Sequence, residues 1–167
     1  SPSTTAAVVA GLVTAADIAK KAGDTKNAER YLATAKTYNS EIESTMFTTQ
    51  GNLKSENSDG EYFIRIGQDK DPNSSTTLNA NNGREGFDKK QILDGGFLEL
   101  VRYGVRDALA PSIVKTLPEY DDETLVDNLQ VRYTFNFADG SGSFPGYRRY
   151  GNDGYGEDQM TGNNYAE

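Results

Sequence analysis

Apolar residues recur at steps of three and four through the first 46 residues, and this spacing constrains the fold more than any other feature. Ser3 is expected to cap a first helix, which ends at Gly23 and Asp24. A second helix follows at once, so we predict an antiparallel helix hairpin over residues 3–47. The predicted inner positions are Ala7, Val8, Leu12, Ala15, Ala16, Ala19 and Ala22, then Ala28, Tyr31, Leu32, Ala35, Ile42 and Met46.

The helical spacing is lost over residues 48–87, where Asn, Ser, Asp, Gly and Thr dominate. One apolar cluster, from Tyr62 to Ile66, favours a short strand. We therefore predict a long loop here. A connection of this length inside a compact domain is unusual and often functional.

Helical spacing returns over residues 88–117, with one helix predicted over 89–103 and another over 107–117. Gly95-Gly96 lies inside the first of these and costs about 1 kcal/mol per glycine relative to alanine. We therefore expect another part of the chain to pack closely there. Pro118 is expected to stop the second helix.

The C-terminal part, residues 128–167, is predicted to be one strand followed by a binding loop. Residues 128–136 alternate like a strand of an edge hairpin. Residues 138–167 hold seven glycines and few aliphatic side chains, so they are predicted to be loop.

Composition excludes several classes of function. The formal charge of -8 argues against nucleic acid and anionic membranes as partners. The sequence has no Cys and no His, which removes disulfides, thiolate metal sites and the commonest catalytic base. No stretch is expected to span a membrane. Asp, Glu, Lys and Tyr remain for acid and base chemistry.

The segment over residues 146–157 concentrates Arg, Tyr and acidic residues between glycines. Tyr rings pack on the apolar face of a pyranose, and Arg and Asp supply fixed donors and acceptors for its hydroxyls. Glycine lets the backbone come close to a ligand. From composition alone, a sugar-binding loop and an ordinary polar surface loop both fit this segment.

Other motifs in the chain are incomplete. Residues 69–73 (Asp-Lys-Asp-Pro-Asn) begin like a calcium loop but lack the later Gly and Glu of that motif, so no metal site is predicted. Gly140-Ser141-Gly142 lacks the flanking strand and helix of a dinucleotide fingerprint. No cofactor is predicted.

Three stretches together resemble the glucoamylase and glucodextranase family of inverting glycoside hydrolases, in its bacterial form. The first is residues 1–7, which lead into the Ala-rich helix. The second is residues 94–102 (Asp-Gly-Gly-Phe-Leu-Glu-Leu-Val-Arg), and the third is residues 148–157 (Arg-Arg-Tyr-Gly-Asn-Asp-Gly-Tyr-Gly-Glu). Their order and spacing also fit the family.

The resemblance implies a mainly α fold, part of an (α/α)6 toroid with long loops and a few short strands. The chain would be an interior fragment of the catalytic domain of a secreted, exo-acting α-glucan hydrolase that releases glucose with inversion. The family's general acid is expected just before Ser1 and its base beyond Glu167. No catalytic residue is therefore assigned, and the isolated chain is expected to be inactive.

The resemblance also assigns substrate-binding residues. The family pattern Arg-Tyr-x-x-Asp-x-Tyr matches Arg149, Tyr150, Asp153 and Tyr155, with the Arg contacting the glucose at the cleavage point and the Asp orienting it. Arg148 precedes this pattern, so either Arg could face the sugar.

The expected partners are an α-glucan or oligosaccharide and the rest of the parent chain, with no nucleic acid and no membrane. Two alternatives stay open, namely a noncatalytic glycan-binding lobe and a helical-repeat interaction module. The residues do not distinguish α-1,4 from α-1,6 linkages.

Overall fold

The structure is a computed structural model that describes residues 1–67, 69–78, 85–126, 128–137 and 139–153. The helices there are α1 Pro2–Lys21, α2 Thr25–Ser40, α3 Ile42–Met46, a 3-10 turn Lys89–Gln91, α4 Glu99–Arg102 and α5 Pro111–Tyr120. The strands form antiparallel pairs: β1 Phe47–Thr48 with β2 Tyr62–Phe63, β3 Thr77–Leu78 with β4 Phe87–Asp88, and β5 Arg132–Phe137 with β6 Gly142–Tyr147.

Helices α1 and α2 form the predicted hairpin. Gly23 makes the turn at a φ of 78°, and the Asp24 side chain caps α2 by accepting from the backbone of Asn27. The expected cap at Ser3 is wrong, because α1 already begins at Pro2, where a proline fits the first helical turn.

The buried face of the hairpin differs in detail from the predicted one. In α1 it centres on Ala6, Val9 and Ala16, whereas Ala7 and Val8 are exposed. Among the inner positions predicted for the second helix, Leu32 and Tyr31 are not buried, whereas Ala28, Ala35, Ile42 and Met46 are. The second helix also breaks at Glu41, so that Ile42 and Met46 lie on the separate short helix α3.

Helix α1 is long and apolar enough to cross a membrane by length and composition alone, contrary to the sequence expectation. This is weak evidence, because core helices meet the same criterion. Here the buried residues Ala6, Val9 and Ala16 lie on the face that packs against α2 and α4.

Most of the core comes from outside the long helices. The fully buried large apolar side chains include Tyr62, Phe63, Ile64, Ile92, Leu93, Phe97, Leu100, Ile113 and Val131. Phe63 and Phe97 stack with ring centroids 6.1 Å apart. The segments that follow α3 therefore supply most of the large core side chains.

The predicted helix over residues 89–103 is wrong in its first part. Only the 3-10 turn and α4 are helical, and the chain between them runs extended from Ile92 to Asp94 before turning at Gly95. Leu93 and Asp94 make isolated antiparallel bridges to Ile64 and Tyr150. These tertiary pairings satisfy the buried backbone, so they override the local helical spacing.

Two further expectations need correction. Pro118 lies inside α5 and does not stop it, because the Asp121 amide still bonds the Leu117 carbonyl at 3.0 Å and completes the last turn. The C-terminal tail is also not all loop, since Gly142–Tyr147 pairs with Arg132–Phe137 as an exposed hairpin.

Candidate functional site

The segment over residues 148–153 crosses the edge of the core and is fixed there by its backbone. Four hydrogen bonds of 2.7 to 2.9 Å tie it to two neighbouring segments, residues 93–95 and 128–131. They join Arg148 to Val131, Gly95 to Arg149, Gly151 to Leu93 and Asn152 to Asn128. The position of this loop therefore depends on residues distant in sequence.

Two glycines permit the close contacts of this loop. A β-carbon on Gly95 would overlap the carbonyl oxygen of Arg148, and one on Gly151 would lie 2.5 Å from the carbonyl oxygen of Leu129. The expectation that something packs closely at Gly95-Gly96 is confirmed, with Ser3 of α1 as the neighbour of Gly96.

Arg149 and Asp153 form the pair that the sequence spacing indicated. The Nε atom of Arg149 donates to Oδ2 of Asp153 at 2.9 Å. The Asp153 side chain is 4% exposed and the Arg149 side chain 42%. A buried carboxylate thus orients a guanidinium that remains accessible.

Arg148 has different surroundings from Arg149. The residue is buried, its Nη1 atom donates to Asn128 Oδ1 at 2.6 Å, and its guanidinium lies 4.6 Å from the centre of the Tyr133 ring. These contacts tie Arg148 to the base of the β5–β6 hairpin. The sequence analysis left the two arginines equivalent, and the geometry separates them.

Tyr150 is buried at the edge of the site, and its ring lies under two guanidinium groups. The guanidinium carbon of Arg65 is 4.2 Å from the ring centre and that of Arg149 is 5.6 Å away. Tyr155, the remaining predicted binding residue, lies outside the described residues.

Arg65 and Asp94 join the site although the sequence analysis did not single them out. Asp94 is fully buried, and the Nη1 atom of Arg65 lies 3.6 Å from its Oδ1 atom. Burial raises the pKa of the Asp94 carboxyl to about 7, against the opposing effect of the Arg65 guanidinium. The available signal was a single charged residue inside each of two otherwise uncharged segments, residues 62–66 and 92–98.

A cavity of about 390 Å³ opens beside these groups. It lies between the start of α1, the Gly95-Gly96 turn and the loop over residues 148–153. Its lining consists of Ser3, Thr4, Arg65, Gly95, Gly96, Tyr147, Arg148 and Arg149. This concave surface combines hydroxyls, guanidinium groups and glycine backbone. Such a surface suits a small polar ligand with many hydroxyls.

The incomplete calcium motif at residues 69–73 is occupied by a side chain of the protein itself. The buried ammonium of Lys89 bonds Asp69 Oδ1 at 2.5 Å and Ser74 Oγ at 2.7 Å, and it also bonds the Asp71 carbonyl. Among the described residues no group of three acidic side chains could hold a metal ion. This lysine supplies the positive charge that the loop requires.

A comparison with known protein families identifies the class of protein to which this fold and site belong. The sequence profile of Glycosyl hydrolases family 15 matches residues 1–166, so the chain belongs to this family.

Individual relatives agree with the family assignment. The chain is 37% identical over 161 residues to a glucoamylase from Clostridium sp. (strain G0005), covering 96% of this chain and 20% of that protein. It also matches the crystal structure of a bacterial glucoamylase complexed with acarbose, with a TM-score of 0.79 and 36% identity. That match covers 99% of this chain and 22% of the other, so the chain spans about a fifth of these relatives.

The structural match confirms the predicted fold class, a mainly α chain that is part of an (α/α)6 toroid. A helical-repeat array is not favoured, because the helix hairpin does not recur within the described residues.

Proposed function

We propose that the protein to which this chain belongs is an exo-acting α-glucan hydrolase that releases glucose with inversion, and that this chain forms part of its substrate pocket. Family membership supports hydrolysis of a glycosidic bond. The observation that carries the proposal is the Arg149–Asp153 pair, an oriented and accessible guanidinium at a cavity. The glucoamylase relative and the acarbose complex support a glucan as substrate.

In an inverting mechanism one carboxylic acid protonates the glycosidic oxygen while a carboxylate activates water on the opposite face. We expect both groups to lie outside residues 1–167, as the resemblance implies. The residues of this chain then bind and orient the glucosyl unit. Arg149 donates to sugar hydroxyls, Asp153 fixes the direction of that guanidinium, and Tyr150 supplies an apolar surface beside it.

Secretion is part of the proposal, because polymeric glucan is found outside the cell. Glucodextranase activity is the nearest alternative within the family, and it differs in cleaving α-1,6 in place of α-1,4 linkages. The same pocket residues would serve both reactions.

The test is hydrolysis by the full-length protein. Maltotriose and isomaltotriose are supplied separately, and the anomer of the released glucose is followed by NMR before it equilibrates. Release of β-glucose from either substrate supports the proposal, and the preferred substrate identifies the linkage. No glucose from either one, or release of the α-anomer, would contradict it.

Within this proposal Arg149→Ala should lower kcat/KM by about 100-fold, since a charged hydrogen-bond donor is lost from the pocket. Its melting temperature should fall less than that of Arg148→Ala, because the Arg149 side chain is 42% exposed whereas Arg148 is buried. Arg148→Ala is the matched control. That guanidinium is buried against Asn128 and Tyr133, so its loss should mainly lower the melting temperature. Equal losses of kcat/KM in both variants would remove the assignment of Arg149.

A further inference from the structure

Arg65 reaches the cavity from a different part of the chain than the Arg149 loop. It follows β2, and its backbone amide is fixed by a 2.9 Å hydrogen bond to the carbonyl of Ile92. Its side chain is 25% exposed and lines the same cavity as Arg148 and Arg149. The backbone bond and the surrounding core keep this side chain at the cavity wall.

The guanidinium of Arg65 is oriented by two neighbours. The buried carboxylate of Asp94 lies 3.6 Å from it, and the ring of Tyr150 lies 4.2 Å from its central carbon. The Asp94 carboxylate on one side and the Tyr150 ring below define the plane of the Arg65 guanidinium. The orientation is therefore fixed before any ligand arrives.

Among the described residues, the donors of this guanidinium have no acceptor at hydrogen-bond distance. A guanidinium carries five N–H donors, and a separation of 3.6 Å to Asp94 is an ion pair longer than a hydrogen bond. Within the described part of the chain, the Arg65 side chain makes no hydrogen bond, and neither oxygen of Asp94 has a hydrogen-bond partner. An oriented cation with unused donors at a cavity wall suits a ligand that brings acceptors.

We propose that Arg65 is a further substrate-binding residue of this site, which donates hydrogen bonds to hydroxyls of a glucosyl unit in the cavity while Asp94 holds its charge in place. The inference rests on the proposed function for the identity of the ligand. It adds a second guanidinium, from a separate segment, to the one supplied by Arg149. Two rigid donors that approach from different walls discriminate between sugars by the arrangement of their hydroxyls.

The experiment compares Arg65→Met and Arg65→Lys in the full-length protein with the wild type. Binding of acarbose and maltose is measured by calorimetry, and folding by circular dichroism and melting temperature. Arg65→Lys keeps a charge beside Asp94 but loses the planar fork. We expect acarbose to bind about 10- to 100-fold more weakly to both variants, the loss of hydrogen bonds from a charged donor.

Arg102→Met is the matched control. Arg102 also pairs with an acid, Glu99 at 3.1 Å, and lies 5.8 Å from the ring of Tyr103, but its side chain is 73% exposed on the surface. Its loss should leave sugar affinity unchanged.

Deoxy analogues of maltose distinguish direct contact from a structural role. If Arg65 donates to one hydroxyl, the wild type loses affinity for the analogue without that hydroxyl, and Arg65→Lys shows little further loss. If every analogue is weakened by the same factor in wild type and variant, Arg65 makes no direct contact and the inference is overturned. Unchanged affinity for acarbose in a folded Arg65→Lys protein overturns it as well.

The same measurements separate this inference from the proposed function. A wild-type protein that neither binds these sugars nor releases glucose contradicts the proposed function and the inference with it. A wild-type protein that binds and hydrolyses, together with variants that bind equally well, contradicts the inference alone.

Discussion

The helix hairpin and the loop-built centre of this molecule differ in what they bury. Helices α1 and α2 bury mostly alanines, and Val13, Ile18 and Leu32 remain exposed on them. The centre, built from residues 62–65, 92–97 and 148–153, buries large apolar side chains together with Asp94, Arg148 and Asp153. Regular structure and tight packing are therefore found in different regions.

This difference bears on the candidate site. The hairpin is held by backbone hydrogen bonds within each helix and by the packing of α1 on α2, and its outer face tolerates change. The centre depends on pairings between segments distant in sequence, and the same pairings position the site residues. Substitutions in the centre should therefore affect stability and ligand binding together, whereas matched substitutions in the hairpin should leave ligand binding unchanged.

The largest difference between the two regions is expected from a pair of glycine substitutions. A methyl group on Gly95 would overlap the carbonyl of Arg148, whereas Gly11 in α1 has no atom within 4 Å of its position for a β-carbon. We expect Gly95→Ala to cost about 1 to 3 kcal/mol of stability and to weaken sugar binding, since the loop over residues 148–153 must shift. Gly11→Ala should stabilise α1 by up to about 1 kcal/mol.

Chemical denaturation and acarbose calorimetry on the two variants check this expectation. Should Gly95→Ala fold and bind like the wild type, the centre is more adaptable than its contacts indicate. The contrast between the two regions would then lose its physical basis.

The same contrast explains which parts of the fold and the candidate site could be predicted from the sequence. Helix periodicity located the hairpin, because in α1 and α2 local hydrogen bonds decide the structure. Helix periodicity gave a wrong prediction over residues 92–98, because the backbone there pairs with Ile64, Tyr150 and Arg149. No local pattern in the sequence encodes those partners. Arg149 and Asp153 lie four residues apart and could be predicted as a pair, but Arg65 and Asp94 come together only through the fold.

A smaller effect is expected from the charge of Asp94. Its folded pKa of about 7 lies above the ordinary value of about 3.9 for an unfolded chain. Between these two values the native state binds more protons than the unfolded state. The free energy of unfolding therefore falls as the pH rises from about 4 to 7, and the decrease stops above that range.

Asp94→Asn removes this titration. The difference in melting temperature between Asp94→Asn and the wild type, variant minus wild type, should therefore increase from pH 4.5 to pH 7.5. Asp17→Asn is the control, since Asp17 is 58% exposed on α1 and is solvated in both states. Calorimetric melting across this range gives both differences. A constant difference for Asp94→Asn would mean that the carboxylate is stabilised in the core as an ion.

The smallest expected effect comes from two lysines that both pair with acids. Lys89 is 1% exposed and its ammonium is held by Asp69, Asp71 and Ser74, whereas Lys115 is 43% exposed beside Asp59 and Glu61. Lys89→Met should lower the melting temperature by a few degrees, because three oxygen acceptors lose their common donor, a buried ammonium. Lys115→Met should change the melting temperature by less, since water replaces an exposed ion pair.

Thermal melting at low and high salt provides the test, and only the Lys115 pair should be sensitive to salt. If the two variants melt alike, the buried ammonium contributes no more than a surface charge, and the contrast between exposed and buried regions does not extend to this loop.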